Sequence, residues 1–208
     1  MRTPSGILCV SLWLLSAAAS SGKVDLAIRA GQLHPVSSEV IDDGIVLIEA
    51  GRIKKVGAAS DVSVPDGVEV IEAAVVTPGF VDAHTVVGLA GIYNSDEGQV
   101  QDQDQLEDSA PVQPQLRAID AYDVGEPLVE WARSFGVTTV HTGHGPGAVI
   151  SGQTMIAKTR GATVEEAAIV PARALAATLG SSVSRTFDSP GTRAKTAATL
   201  REALLGAS

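Results

Sequence analysis

The feature that most constrains the fold is a change of hydrophobic pattern at Thr77. Before it come short extended segments. Lys23–Ala30 (KVDLAIRA) alternates loosely and reads as a strand that Gly31-Gln32 turns. Gly44–Glu49 and Ile53–Gly57 flank Ala50-Gly51-Arg52, a hairpin signature in which Gly51 takes positive φ at little cost. Val68–Val76 adds another strand, so residues 20–76 are expected to form a small β-rich unit of antiparallel strands. After Thr77, strand and helix patterns alternate. Phe80-Val81 begins a buried strand that leaves a Pro-Gly corner. Leu116–Phe135 has helical spacing, broken over Asp120–Gly125, with Pro127 in a first turn. Gly136–His141 is a short β-branched strand, and Val149–Thr159 is extended. Val164–Leu179 reads as a helix stopped by Gly180, and Ser189–Ala207 as a further helix. Such alternation predicts a parallel α/β layout. Ser95–Pro114, rich in Asp, Gln and Glu, reads as a long exposed loop.

Bulk properties exclude some functions. The formal net charge of -9 argues against nucleic acid as the main partner, because phosphate binding requires clustered Lys and Arg. Cys9 is the only cysteine, so neither an intrachain disulfide nor a cysteine-based zinc site can form. Residues 1–19 have the form of a signal peptide: Arg2, the short apolar run Ile7–Leu15, then Ala17-Ala18-Ala19 before a cut after Ala19. Export is therefore expected, with no membrane span once the leader is removed. An uncleaved anchor, or an unstructured leader from a misplaced start, is the alternative reading.

Phe80–His84 (FVDAH) carries the main chemical signal: apolar residues for a wall, then a carboxylate and an imidazole at the strand's end. Barrel enzymes place their chemistry at such ends. With the Asp43–Gly57 hairpin before it, Pro78–His84 (PGFVDAH) resembles the opening of the amidohydrolase superfamily, and its imidazolonepropionase-like branch in particular. Ser134–Thr139 (SFGVTT) resembles the second barrel strand of that family. Gly145-Pro146-Gly147, Ser151-Gly152-Gln153 and Thr192–Leu205 continue the likeness. The resemblance implies a small N-terminal β-sandwich portion over residues 20–76, followed over residues 77–208 by the first, truncated part of a (β/α)8 barrel. It also implies a divalent metal such as zinc, and metal-activated water attacking a C–N bond of a small-molecule amide or cyclic amide.

One position departs from the pattern. The family's His-x-His pair is here His84-Thr85-Val86, and Val86 has no lone pair to donate. His84 is then either a metal ligand or a relic held by backbone hydrogen bonds. His141 and His144 lie at the end of the second strand of this region. They either converge with His84 on one ion, contact an anionic substrate, or donate to loop carbonyls. Asp82 reads as fixing backbone or a neighbouring cation. Gly143–Gly147 offers N–H groups to an anion or merely makes a tight turn. Ser151 and Lys158 lie on an extended segment with nothing to join them as nucleophile and base. The acidic stretch Asp96–Asp108 lacks the regular spacing of a calcium loop. A barrel that has lost its metal site and binds a ligand or partner is the non-catalytic alternative.

A (β/α)8 barrel takes about 250 residues, and the stretch after Thr77 has room for about half of one. The chain is expected to be an N-terminal fragment, with exposed strand edges and apolar helix faces. Expressed alone, it should be insoluble or form homo-oligomers. Size-exclusion chromatography and a thermal melt check this, and a monomer with a cooperative melt would contradict it.

Overall fold

The computed structural model describes residues 23–90 and 104–207. The leader lies outside the described residues, as does the first part of the predicted acidic loop. The chain divides into two compact units, Met1–Pro78 and Gly79–Ser208.

The first unit is a four-stranded sheet of β1 (Leu26–Leu33), β2 (Ile41–Glu49), β3 (Arg52–Ala58) and β4 (Glu69–Val76), in the order β3-β2-β1-β4. β2 is antiparallel to both β1 and β3, as the hairpin pattern requires. β4, however, runs parallel to β1, so the expected all-antiparallel unit is mixed. The inner strands β1 and β2 bury side chains on both faces, whereas β3 and β4 are mostly exposed. Ala27, Ile45 and Leu47 pack with Val24 and Val62 on one face. Ala30, Leu33 and Val46 pack with Ile28 and Ile48 on the other.

Gly31 does not end β1. Gln32 and Leu33 continue to pair with Asp42 and Ile41 on one side and with Val75 and Val76 on the other. A Cβ at residue 31 would stand 2.8 Å from the Ala74 carbonyl oxygen. The glycine permits a close backbone approach inside the sheet, the other use to which strands put this residue. Opposite it, Asp43 sits at φ 47 and its carboxylate takes a two-pronged hydrogen bond from Arg29, at 2.8 and 3.0 Å.

The β2–β3 hairpin turns on Ala50 and Gly51, at φ 49 and 71, the signs a type I′ turn demands. Asp25 accepts a hydrogen bond from the Ala50 N–H at 2.6 Å. An alanine in the left-handed region costs about 1–2 kcal/mol. Ala50→Asn should therefore stabilise the chain by about 1 kcal/mol, read as a higher denaturation midpoint; an unchanged midpoint would mean that the turn relaxes at no cost.

The second unit starts with β5 (Phe80–Thr85), followed by a 3-10 turn at Ala118–Asp120, α1 (Pro127–Ser134) and β6 (Val137–Thr142). β5 and β6 are parallel, with α1 in the connection between them. Pro127 occupies the first turn of α1, where its missing N–H costs nothing. Gly136, at φ 86, ends the helix, and its N–H reaches the Arg133 carbonyl at 2.9 Å. Val129 carries α1 onto a core shared with Val140, Met155 and Ala157.

Beyond β6 the expected repetition of strand and helix does not continue among the described residues. The extended stretch after Val149 divides at Thr154 into β7 (Ile150–Gln153) and β8 (Met155–Lys158). After the single turn of α2 (Val164–Ala167) come β9 (Ala168–Val170) and β10 (Leu175–Ala177). β8 lies antiparallel between β6 and β9, and β7 pairs antiparallel with β10. The helix predicted over Val164–Leu179 is thus a correction. Pro171 has no N–H, clashes with the carbonyl four residues back, and drives Val170 towards extended backbone. Gly180, expected to stop that helix, instead stands at the start of α3 (Ser181–Thr186). α4 (Arg193–Leu205) begins where the Thr192 side chain accepts the Lys195 N–H.

The described part of the predicted acidic loop is also tied down. Asp104 N–H bonds to the Leu89 carbonyl and Gln113 N–H to the Ile150 carbonyl, each at 2.9 Å. Gln113 is buried, and its amide donates to the carbonyls of Glu107 and Ala110. Its polar composition hid this, because the bonding runs through backbone groups that composition does not report.

Candidate functional site

The C-terminal ends of the parallel pair β5 and β6 carry the candidate residues. Their register sets Asp82 against Val140 and Thr85 against Thr142. Ala83 and His84 therefore share the single residue His141 opposite them, which is a β-bulge. Bulges at strand ends re-aim side chains, and this one contains His84.

Both polar groups of the peptide that joins the two bulged residues have side-chain partners. The His84 N–H donates to the Asp82 carboxylate at 3.2 Å. The Ala83 carbonyl faces His141 Nδ1 at 3.0 Å. The other His141 nitrogen, Nε2, lies 2.8 Å from the Thr154 hydroxyl. His84 itself is exposed. Beyond the bulge, the Thr142 hydroxyl donates to the Val87 carbonyl at 2.7 Å, and Gly143 N–H to the Thr85 carbonyl at 3.2 Å.

His144 is in a different situation. It is only 6% exposed, and neither ring nitrogen has a hydrogen-bond partner. It packs against Gly152, where a Cβ would lie 2.6 Å from Nε2. Burial lowers its pKa by penalising the charged ring. Tyr122, packed over Gly88, is also buried with an unpartnered hydroxyl. Burial first, then the nearby Glu126 and Asp123 carboxylates, pushes that phenol up to about 12, so it stays protonated at neutral pH.

The described residues do not fit the divalent metal that the family resemblance implies. Among them no group of three or more His, Cys, Asp or Glu side chains is placed to hold an ion. Val86 stands where a second imidazole would be needed, and both nitrogens of His141 are engaged. The three histidines read from the sequence thus part company: one exposed, one hydrogen-bonded between strands, one buried without partners. Two N–H groups of the glycine loop are not open to an anion either. The N–H groups of Gly143 and Gly145 are taken by the carbonyls of Thr85 and Gln105. Ser151 bonds to the Gly145 carbonyl and Lys158 to the Thr139 hydroxyl, each with its own partner.

Sequence reasoning missed Thr154. It is 13 positions from His141 and lies in the break between two strands, where no spacing rule points.

Comparison with solved structures places this geometry. The chain matches the crystal structure of an amidohydrolase from Thermotoga maritima MSB8 with a TM-score of 0.78 and 26% identity, covering 88% of this chain and 47% of that one. The chain is thus similar in fold and sequence to the amidohydrolase superfamily. It spans about half the length of that solved protein. An N-acetyl-D-glucosamine-6-phosphate deacetylase from Mycobacterium smegmatis matches at 21% identity and a TM-score of 0.32, over 56% of this chain and 26% of that one. An adenosine deaminase from Xanthomonas campestris with bound zinc matches at 28% identity and a TM-score of 0.22, over 34% and 18%. Alignments that partial carry no weight for the site. No family model matches the sequence, and no curated protein does.

The state of His144 has a measurable consequence. With a folded pKa below the unfolded value near 6.5, the unfolded chain binds the extra proton first as pH falls. The contribution of His144 to stability is complete above about pH 6.5 and declines below it, by at most about 1.4 kcal/mol per pH unit. Denaturant midpoints at pH 7.5 and 5.5 should therefore differ less in His144→Leu than in the parent chain. An equal acid loss in both would place the sensitivity elsewhere.

Proposed function

We propose that this chain is the N-terminal part of an exported hydrolase that acts on C–N bonds of small amides or cyclic amides. The observation that carries the reading is the structural match over 88% of the chain to a solved amidohydrolase. The position of His84 at the C-terminal end of a strand in a parallel pair supports it, since barrel enzymes build their sites there. The superfamily's chemistry is attack by metal-activated water, and His84 is the ligand this chain offers towards it. Export rests on the leader pattern of residues 1–19. Among the described residues no helix is long and apolar enough to cross a membrane.

A second reading is favoured by Val86 and by the hydrogen-bonded state of His141: a protein of the same ancestry that binds a ligand without turning it over. The two separate on the full gene product, assayed against a panel of amides and cyclic amides with its metal content measured. The hydrolase reading expects turnover and bound zinc, both lost in His84→Ala. A folded, metal-free product inert across the panel would establish the binding protein instead.

A further inference from the structure

We propose that His141 is a positioning residue for His84: its Nδ1–H clamps the bulged peptide at Ala83, and Thr154 holds its ring in the one tautomer able to do so. This rests on the reading above only in taking His84 as the functional group.

The bulge makes a clamp necessary. Two residues of β5, Ala83 and His84, stand opposite one of β6, and a bulge of this kind disrupts the ladder locally. Backbone groups left unpaired are costly, and those next to a site leave it loosely placed. Here two side chains supply the missing partners. Asp82 takes the N–H of His84 from its own strand. His141 reaches across from β6 to the carbonyl immediately before His84. The peptide that sets the direction of the His84 side chain is thus fixed on both sides.

The tautomer follows from the partners. A carbonyl oxygen only accepts, so the 3.0 Å contact requires the proton on Nδ1. In the neutral ring Nε2 is then an acceptor, and the Thr154 hydroxyl at 2.8 Å is its donor. That hydroxyl also lies 3.3 Å from the Ala174 carbonyl, a longer contact that competes less well for its proton. Thr154 can serve because its backbone is anchored: its N–H bonds to the Ala174 carbonyl at 2.8 Å, and its carbonyl accepts from Arg173 at 2.7 Å. The lone pair that would ligate a metal through His141 is therefore committed to orienting the ring, as partners of ligating groups commonly do.

The chain has four histidines, so selective 15N,13C-histidine labelling makes each ring readable by NMR, in solution or in a sedimented oligomer. Variants His141→Ala, His141→Asn and Thr154→Val complete the set. The expected spectrum shows His141 protonated at Nδ1 alone in the parent chain, and Nε2 without its donor in Thr154→Val. The His84 ring signals should shift in His141→Ala and return part of the way in His141→Asn, whose amide retains a donor for the Ala83 carbonyl. His141 protonated at Nε2, or His84 signals unchanged across the variants, would overturn the proposal. Should His141→Ala fail to fold, the parent tautomer and the asparagine variant decide. None of these readings depends on turnover. An inert full gene product with the clamp intact would defeat only the hydrolase reading, and active enzyme with His84 unmoved in His141→Ala would defeat only the clamp.

Discussion

The parallel pairing of β5 with β6 is the constraint on which the candidate site depends. It brings the ends of two strands, far apart in sequence, to one edge and sets their register. The helix α1 makes this possible. Parallel strands cannot be joined by a tight turn, and Val129 binds the connecting helix to the same core that buries Val140 and Met155. Around that core the burial is near complete, while the site edge is held by hydrogen bonds rather than by packing. His84 stands exposed, yet the peptide that precedes it has side-chain partners for both its N–H and its carbonyl.

The fold was legible in the sequence wherever a local rule had no competitor. The hairpin lies where Ala50-Gly51-Arg52 separates two apolar runs, although Arg52 joins the strand and leaves a two-residue connection, and Pro127 stands in the first turn of α1 as its missing N–H dictates. Reading failed where one residue type has two uses. Gly31 has the look of a turn residue, yet it serves close packing inside β1. The apolar spacing of Val164–Leu179 satisfied a helical template, and Pro171 overrode it. The parallel pairing of β4 with β1 was not visible because direction in a sheet is a tertiary choice with no local signature.

The site was legible as a location and much less so as chemistry. The strand end at Phe80–His84 and the histidines after it were found from residue type and order. Their states were set by groups that leave no mark in a motif: a backbone carbonyl for His141, and an absence of partners for His144. The register slip that makes the bulge belongs to two strands at once, so neither strand's sequence contains it. The superfamily match narrows ancestry without supplying what Val86 lacks.

Thr154 belongs to neither of the strands it separates, and it is the only residue between them: β7 goes to one sheet and β8 to another. The chain has no slack there. A sliding or twisting of one sheet against the other bears directly on that residue, and its hydroxyl is joined to an imidazole on β6. Mechanical strain between the two sheets therefore has a short route to the mouth of the parallel pair.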